Sequence, residues 1–166
     1  MRSNGSVYVA VVIAALVGYF SYQWWFNPAR AIKLRLGQVA AALSVPAPDS
    51  DIAQLERLGQ LRKLLASDVR VDIAGEQLMN SREAVLGVVG SVRPAPGGID
   101  VQFVDTQVTV DSADQGRAYL TVRVTTPDRQ TGERTIESRE ATVTLARRAG
   151  EWVVTSAALK AAPTRP

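Results

Sequence analysis

The chain contains no cysteine and no histidine. The first absence excludes disulfides, a thiolate nucleophile and a thiolate metal site. The second removes the commonest general base and the commonest transition-metal ligand. Aromatic residues make up 6% of the chain and are unevenly placed, with two of the three tryptophans adjacent at Trp24 and Trp25. The net charge is only +3. Basic and acidic residues alternate after residue 30, so there is no basic stripe of the kind that tracks nucleic acid. One further absence is local: no charged residue occurs from Ser3 to Ala29.

That uncharged stretch contains the apolar run Val7–Phe26. At about 1.5 Å per helical residue, roughly twenty residues cross a hydrocarbon core about 30 Å thick. A spanning helix also satisfies its own backbone groups, which lipid does not. The run ends in Tyr19, Phe20, Tyr22, Trp24, Trp25 and Phe26, and amphipathic rings gather where membrane meets water. Tyr22, Trp24, Trp25 and Phe26 are therefore the expected interface anchor. A cleaved signal peptide is the rival reading. It would need a shorter apolar core and a small-residue cleavage site where the bulky rings stand. A buried core helix would need no aromatic belt. One face carries Ala10, Ala14 and Gly18, a small-residue stripe that lets another membrane helix approach closely. The expected organisation is a head at 1–6, a transmembrane helix at 7–26, an extrinsic domain at 27–160 and a polar tail at 161–166.

About 135 residues follow the anchor, enough for one ordinary domain with its own core. Asn27-Pro28 reads as a helix start, with Ile32, Leu36, Val39 and Leu43 on one face. Arg30 and Lys33 on the polar side could face lipid phosphates, or the segment is simply the domain's first helix. After the stiff Val45-Pro-Ala-Pro48, Asp51 and Gln54 suggest a capping box opening a second helix, with Ile52, Leu55, Leu58, Leu61 and Leu65 buried. Asp68–Ile73 alternates polar and apolar, as a short strand or an extended link would. Asn80 and Glu83 suggest another capping box, opening a third helix with Val85, Val88, Val89 and Val92 inside. Gly87 and Gly90 either weaken that helix or admit a neighbour. From Ile99 the period becomes two and predicts four strands. These are Ile99–Val110 with a bulge near Asp105, Arg117–Thr126, Glu133–Arg147 with a second bulge near Arg139, and Glu151–Leu159. The expected class is α+β, with about three helices packed on a curved, mainly antiparallel sheet.

Two short stretches carry a family likeness. Asn80-Ser-Arg-Glu-Ala-Val85 resembles the Gly-x-Glu-Ala-Ile helix of the nuclear transport factor 2-like (SnoaL-like) superfamily. Thr142–Val154, with its Gly-Glu-Trp turn, resembles that superfamily's closing hairpin. The resemblance covers roughly Pro28–Leu159 and implies a cone-shaped domain. The superfamily includes enzymes, transport factors and scaffolds, so the fold alone implies no activity. Membrane-anchored relatives in architecture exist, such as the periplasmic core component of type IV secretion systems. Superfamily enzymes such as ketosteroid isomerase and scytalone dehydratase place Asp, His or Tyr inside the cone. Here histidine is missing, and Tyr119, the single tyrosine after the anchor, has the parity of an outward-facing residue.

Carboxylates remain as candidates. Asp105 at the inferred bulge could serve as a base, though a solvated turn carboxylate is the plainer reading. Asp111 and Asp114 lack the spacing of a calcium loop. Glu137, Arg139 and Glu140, opposite Arg123, read as cross-strand charge pairs and as a candidate partner surface. Trp152 reads as core. No catalytic residue, cofactor or metal is therefore expected. The expected function is that of a non-enzymatic accessory or scaffold subunit. It would bind the lipid bilayer and an integral membrane complex, for example a photosynthetic, respiratory or secretion assembly. A tethered domain that binds a small hydrophobic ligand or acts on it is the alternative. The charges flanking the anchor slightly favour a cytoplasmic domain, whereas a short basic head before an apolar run favours export. The expectation adopted is a bacterial inner membrane with the domain on the periplasmic side.

Overall fold

Asn27 accepts the Ala29 N–H at 3.0 Å and Pro28 takes the first helical position, so the chain turns at once from one helix into the next. In the computed structural model, residues 4–25, 27–48, 50–92, 97–128 and 131–161 are described. The elements are α1 (Asn4–Trp25), α2 (Pro28–Leu43), α3 (Asp51–Leu64), β1 (Leu65–Ile73), β2 (Glu76–Met79), α4 (Arg82–Ser91), β3 (Asp100–Ser112), β4 (Gln115–Pro127), β5 (Arg134–Arg148) and β6 (Glu151–Leu159).

α1 is 22 residues long, and Tyr8, Val9, Val11, Val12, Ile13, Leu16, Val17 and Tyr19 are each more than half exposed. Its described side chains are those of residues 8–19, whereas a crossing takes about 20. Among the described residues no helix is long and apolar enough to cross a membrane. Residues 1–3, Phe26 and residues 162–166 lie outside the described residues, as do the side chains of Tyr22, Trp24 and Trp25. The expected aromatic anchor therefore lies outside the description.

The sheet has six strands in the order β2-β1-β6-β5-β4-β3. Four of its five pairings are antiparallel, and β1 runs parallel to β6. The sheet is thus mixed, with β1 and β2 added to the expected four-stranded meander. β2 is four residues long and mostly exposed, too short for a periodic signal. The core lies between the helices and one sheet face. It holds Ile32, Leu36 and Val39 of α2, Leu61 and Leu64 of α3, Val85 of α4, and Ala118, Leu120, Val143, Leu145, Trp152 and Val154 of the sheet. Trp152 is core, as expected, and Tyr119 points outward and is 47% exposed.

Both capping boxes need correction. Ser50 and Ser81 are the caps; their hydroxyls accept the Ala53 and Ala84 N–H groups from extended backbones. Each serine stands one residue from the expected cap, at the position from which a side-chain oxygen reaches the third helical N–H. Gln54 is thereby released, and its side chain donates to the Gly90 carbonyl at 2.7 Å. That bond, with Leu58 packed over Gly90, joins α3 to α4. The α3–α4 contact turns each helix so that part of its expected buried face is open. Ile52 (72%), Leu55 (69%) and Val88 (52%) are exposed.

The bulge at Asp105 is present. The β3–β4 register shifts between Val104 and Gln107, and Asp105 has φ of 52°. The bulge expected near Arg139 is absent, because the β4–β5 register is unbroken from Gln115↔Ala146 to Pro127↔Arg134. Ile136, whose parity suggested that bulge, instead stands on the outer face, 62% exposed. The irregularity lies further along, where Thr144 and Leu145 face Ser156 and Val154.

Candidate functional site

The helices α2, α3 and α4 and the inner face of the sheet enclose a cavity of about 200 Å³. Leu36 and Val39 enter it from α2, Leu61 from α3, Met79 from the end of β2, and Phe103 and Val122 from β3 and β4. Every residue lining it is apolar. No polar or charged side chain among the described residues is buried. A general acid or base inside such a wall would need a polar partner or a shifted pKa to exist there, and the wall supplies neither.

The ionisable groups lie outside the cavity. Asp105 lines a shallow outer-face depression of about 280 Å³ with Gln107, Tyr119, Glu140 and Lys160. There Lys160 donates to Glu140 at 2.6 Å. This bond holds the Glu140 carboxyl below its usual range and Lys160 above its own. Asp111 is gripped by two Arg117 nitrogens, each at 2.9 Å, and is likewise held down. Asp114 accepts the Arg147 N–H through its main-chain oxygen. Glu83 is lowered chiefly by its own backbone N–H, with Arg82 adding to it. Each of these displacements favours the charged carboxylate, the opposite of what a poised proton donor needs. Among the described residues no three acidic side chains converge closely enough to hold a metal ion.

The candidate partner surface is divided by the sheet. Arg123 faces Ser138 and Glu140 faces Thr121, both on the outer face. Glu137 and Arg139 face Val124 and Val122, so they share the parity of the buried Ala141 and Val143. The expected cross-strand pairing of Arg123 with the β5 charges does not form. Arg139 instead lies 4.0 Å from Glu137 on its own strand. Strand parity carried that information, but the inferred bulge at Arg139 reversed it. Arg123 lines a broad cleft of about 950 Å³ with Arg57, Arg134 and Asp100. Ala10, Ala14 and Gly18 lie exposed on one side of α1.

A mixed sheet curled around an apolar interior, with four helices, defines the class: an α+β cone of the nuclear transport factor 2-like kind. Within that class the chain belongs to the SnoaL-like domain family, whose model matches residues 51–158. The match begins at α3; α2 precedes it yet supplies Ile32 and Leu36 to the same core. No curated protein matches the chain. Among solved structures, it is similar to an NTF2-like protein with a cystatin-like fold from Novosphingobium aromaticivorans, at 12% identity and a TM-score of 0.66, covering 88% of this chain and 90% of that one. It is similar to a protein named as a scytalone dehydratase from the same species, at 15% identity and a TM-score of 0.60, covering 78% of this chain and 80% of that one. The association domain of a C. elegans calmodulin-dependent kinase (CaMKII) gives 13% identity and a TM-score of 0.59, covering 81% and 99%. At such identities the likeness establishes the fold alone.

Proposed function

We propose that the chain is a non-enzymatic accessory subunit, tethered to a bilayer by α1, whose SnoaL-like domain binds and stabilises a larger membrane assembly. The observation that carries this reading is the apolar wall of the cone. A fold that places catalytic Asp, His or Tyr inside its cone has here only Leu, Val, Ala, Met and Phe. The tether is supported by the uncharged sequence from Ser3 to Ala29 and by apolar side chains left uncovered along α1. The Ala10, Ala14 and Gly18 face is the proposed contact with a neighbouring membrane helix. A bacterial inner membrane with the domain on its periplasmic side is the proposed setting. The test is gentle detergent extraction followed by size-exclusion chromatography and mass spectrometry. The expected result is a stable complex with an integral membrane protein that dissociates when Ala14→Leu and Gly18→Leu are introduced. A chain that elutes alone as a monomer overturns the proposal.

The cavity itself favours a second reading, a tethered carrier of a small apolar ligand. About 200 Å³ with no polar lining suits a hydrocarbon-like molecule. Native mass spectrometry of the full chain, with and without Leu61→Phe to fill the space, decides it. A bound apolar molecule lost on filling supports the carrier, and an empty cone in both forms removes it.

A further inference from the structure

The end of the domain where β5 turns into β6 carries a further concavity, of about 430 Å³ and unlike the cone in chemistry. Arg62 and Lys63 reach it from the last turn of α3, Arg82 from the first residue of α4, and Arg148 from the last residue of β5. Its floor is Leu65, Ala66, Ser67 and Val153. Two of these cations are paired with carboxylates: Asp68 holds Arg148 at 2.8 Å, and Glu83 lies 3.4 Å from Arg82. Both are about two-thirds exposed, so they flank the cleft from solvent. Arg82 is poorly satisfied. One of its terminal nitrogens reaches the Arg62 carbonyl at a long 3.5 Å, and its Nε is buried with no hydrogen-bond partner among the described residues. A buried N–H without a partner is costly and rare. An anionic oxygen seated among these cations would supply the missing acceptor, and guanidinium groups suit phosphate in geometry and charge.

The chain's course shows what phosphate would be near. Arg35 stands seven residues past Pro28, about 10 Å along α2, and pairs with Glu151 at 2.9 Å. Glu151 lies opposite Arg148 across the β5–β6 turn. α3 and β5 both end here, while β1, β6 and α4 begin here. The cleft is therefore fixed to the first turns of α2, which starts at Pro28 just after α1 ends at Trp25. We propose that the Arg62–Lys63–Arg82–Arg148 cleft binds the phosphate of an anionic lipid headgroup in the bilayer that holds α1, fixing the domain's orientation on that surface. This inference rests on the tethered reading above. The attraction acts within about 8 Å at physiological salt, so it operates only if the domain sits against the membrane.

The full chain in neutral detergent is titrated with short-chain phosphatidylglycerol, the matched phosphatidylcholine and inorganic phosphate, with binding read by native mass spectrometry and thermal shift. Phosphatidylglycerol is expected to bind preferentially and to raise the melting temperature. Each cation removed should weaken it about fivefold, so Lys63→Gln alone costs about fivefold and Lys63→Gln with Arg82→Gln about 25-fold. Equal binding of the two lipids, or an unchanged affinity in both the single and the double variant, overturns the cleft. Inorganic phosphate binding as tightly as phosphatidylglycerol overturns the lipid source. The tether is judged separately by carbonate extraction from neutral liposomes. Release there refutes the tether while leaving the titration in detergent to judge the cleft.

Discussion

Arg148 grips Asp68 through two nitrogens, at 2.8 and 3.2 Å, across 80 residues of sequence. The pair fastens the β5–β6 turn to β1, the one strand that joins the meander in parallel. The Arg148 guanidinium holds the Asp68 carboxyl below its usual range. A carboxyl lowered on folding stabilises the folded state above its unfolded pKa and loses that contribution as pH falls through the lowered value. Asp68→Asn should therefore melt below the wild type at pH 7, and the gap should close as pH drops below about 3.9. Thermal melts at several pH values measure it; a gap that persists at the acid end contradicts the linkage.

α3 offers two leucines with opposite environments, Leu61 at 1% exposure and Leu55 at 69%. Leu61→Ala should cost about 2–5 kcal/mol through lost burial and the void it leaves. Leu55→Ala should stay within about 0.5 kcal/mol. Urea denaturation of the two variants provides the comparison, and similar losses at both sites would place α3 in the orientation expected from its periodicity instead.

Gly98 has φ of 80°, and a Cβ there would collide with the Val45 carbonyl oxygen. Its neighbour Ile99 exchanges two backbone hydrogen bonds with Val45, each 2.8 Å, so the loop has no room to move aside. Gly98→Ala should destabilise by about 2–3 kcal/mol. Gly132 shares the positive φ, at 73°, but has open space around it. Gly132→Ala should lose only about 1 kcal/mol. Chemical denaturation that gives equal losses would remove the steric argument.

Asp105 occupies the left-handed region at the β3 bulge. If its place there is conformational, Asp105→Gly should be neutral or slightly stabilising, and Asp105→Val should cost about 1–2 kcal/mol. A glycine variant that folds normally yet loses a measured activity would revive Asp105 as a functional carboxylate.

Much of the architecture was legible because it rests on local chemistry. The Asn27-Pro28 start, the bulge at Asp105 and the span Glu151–Leu159 each followed from capping preference or period-two alternation. The misreadings share one physical cause. Serines one residue from the expected caps compete for the same N–H groups, and only the backbone angles choose between them. Exposure of Ile52, Leu55 and Val88 depends on how α3 rolls against α4, which the Gln54–Gly90 bond and the Leu58–Gly90 contact decide. The basic cleft was invisible because Arg62, Arg82 and Arg148 are scattered along the chain and fall on three separate element ends.

The sequence by itself determined the uncharged apolar stretch, the absence of histidine and cysteine, and a helix-then-strand order that gives a cone. These are properties of composition and period, which need no partner to be defined. The tertiary structure decided that β1 lies parallel to β6, that the cone's wall is wholly apolar, and that Arg62, Lys63, Arg82 and Arg148 share one cleft. Those outcomes depend on long-range pairing and helix rotation, where burial and hydrogen bonding across distant segments outweigh local preference.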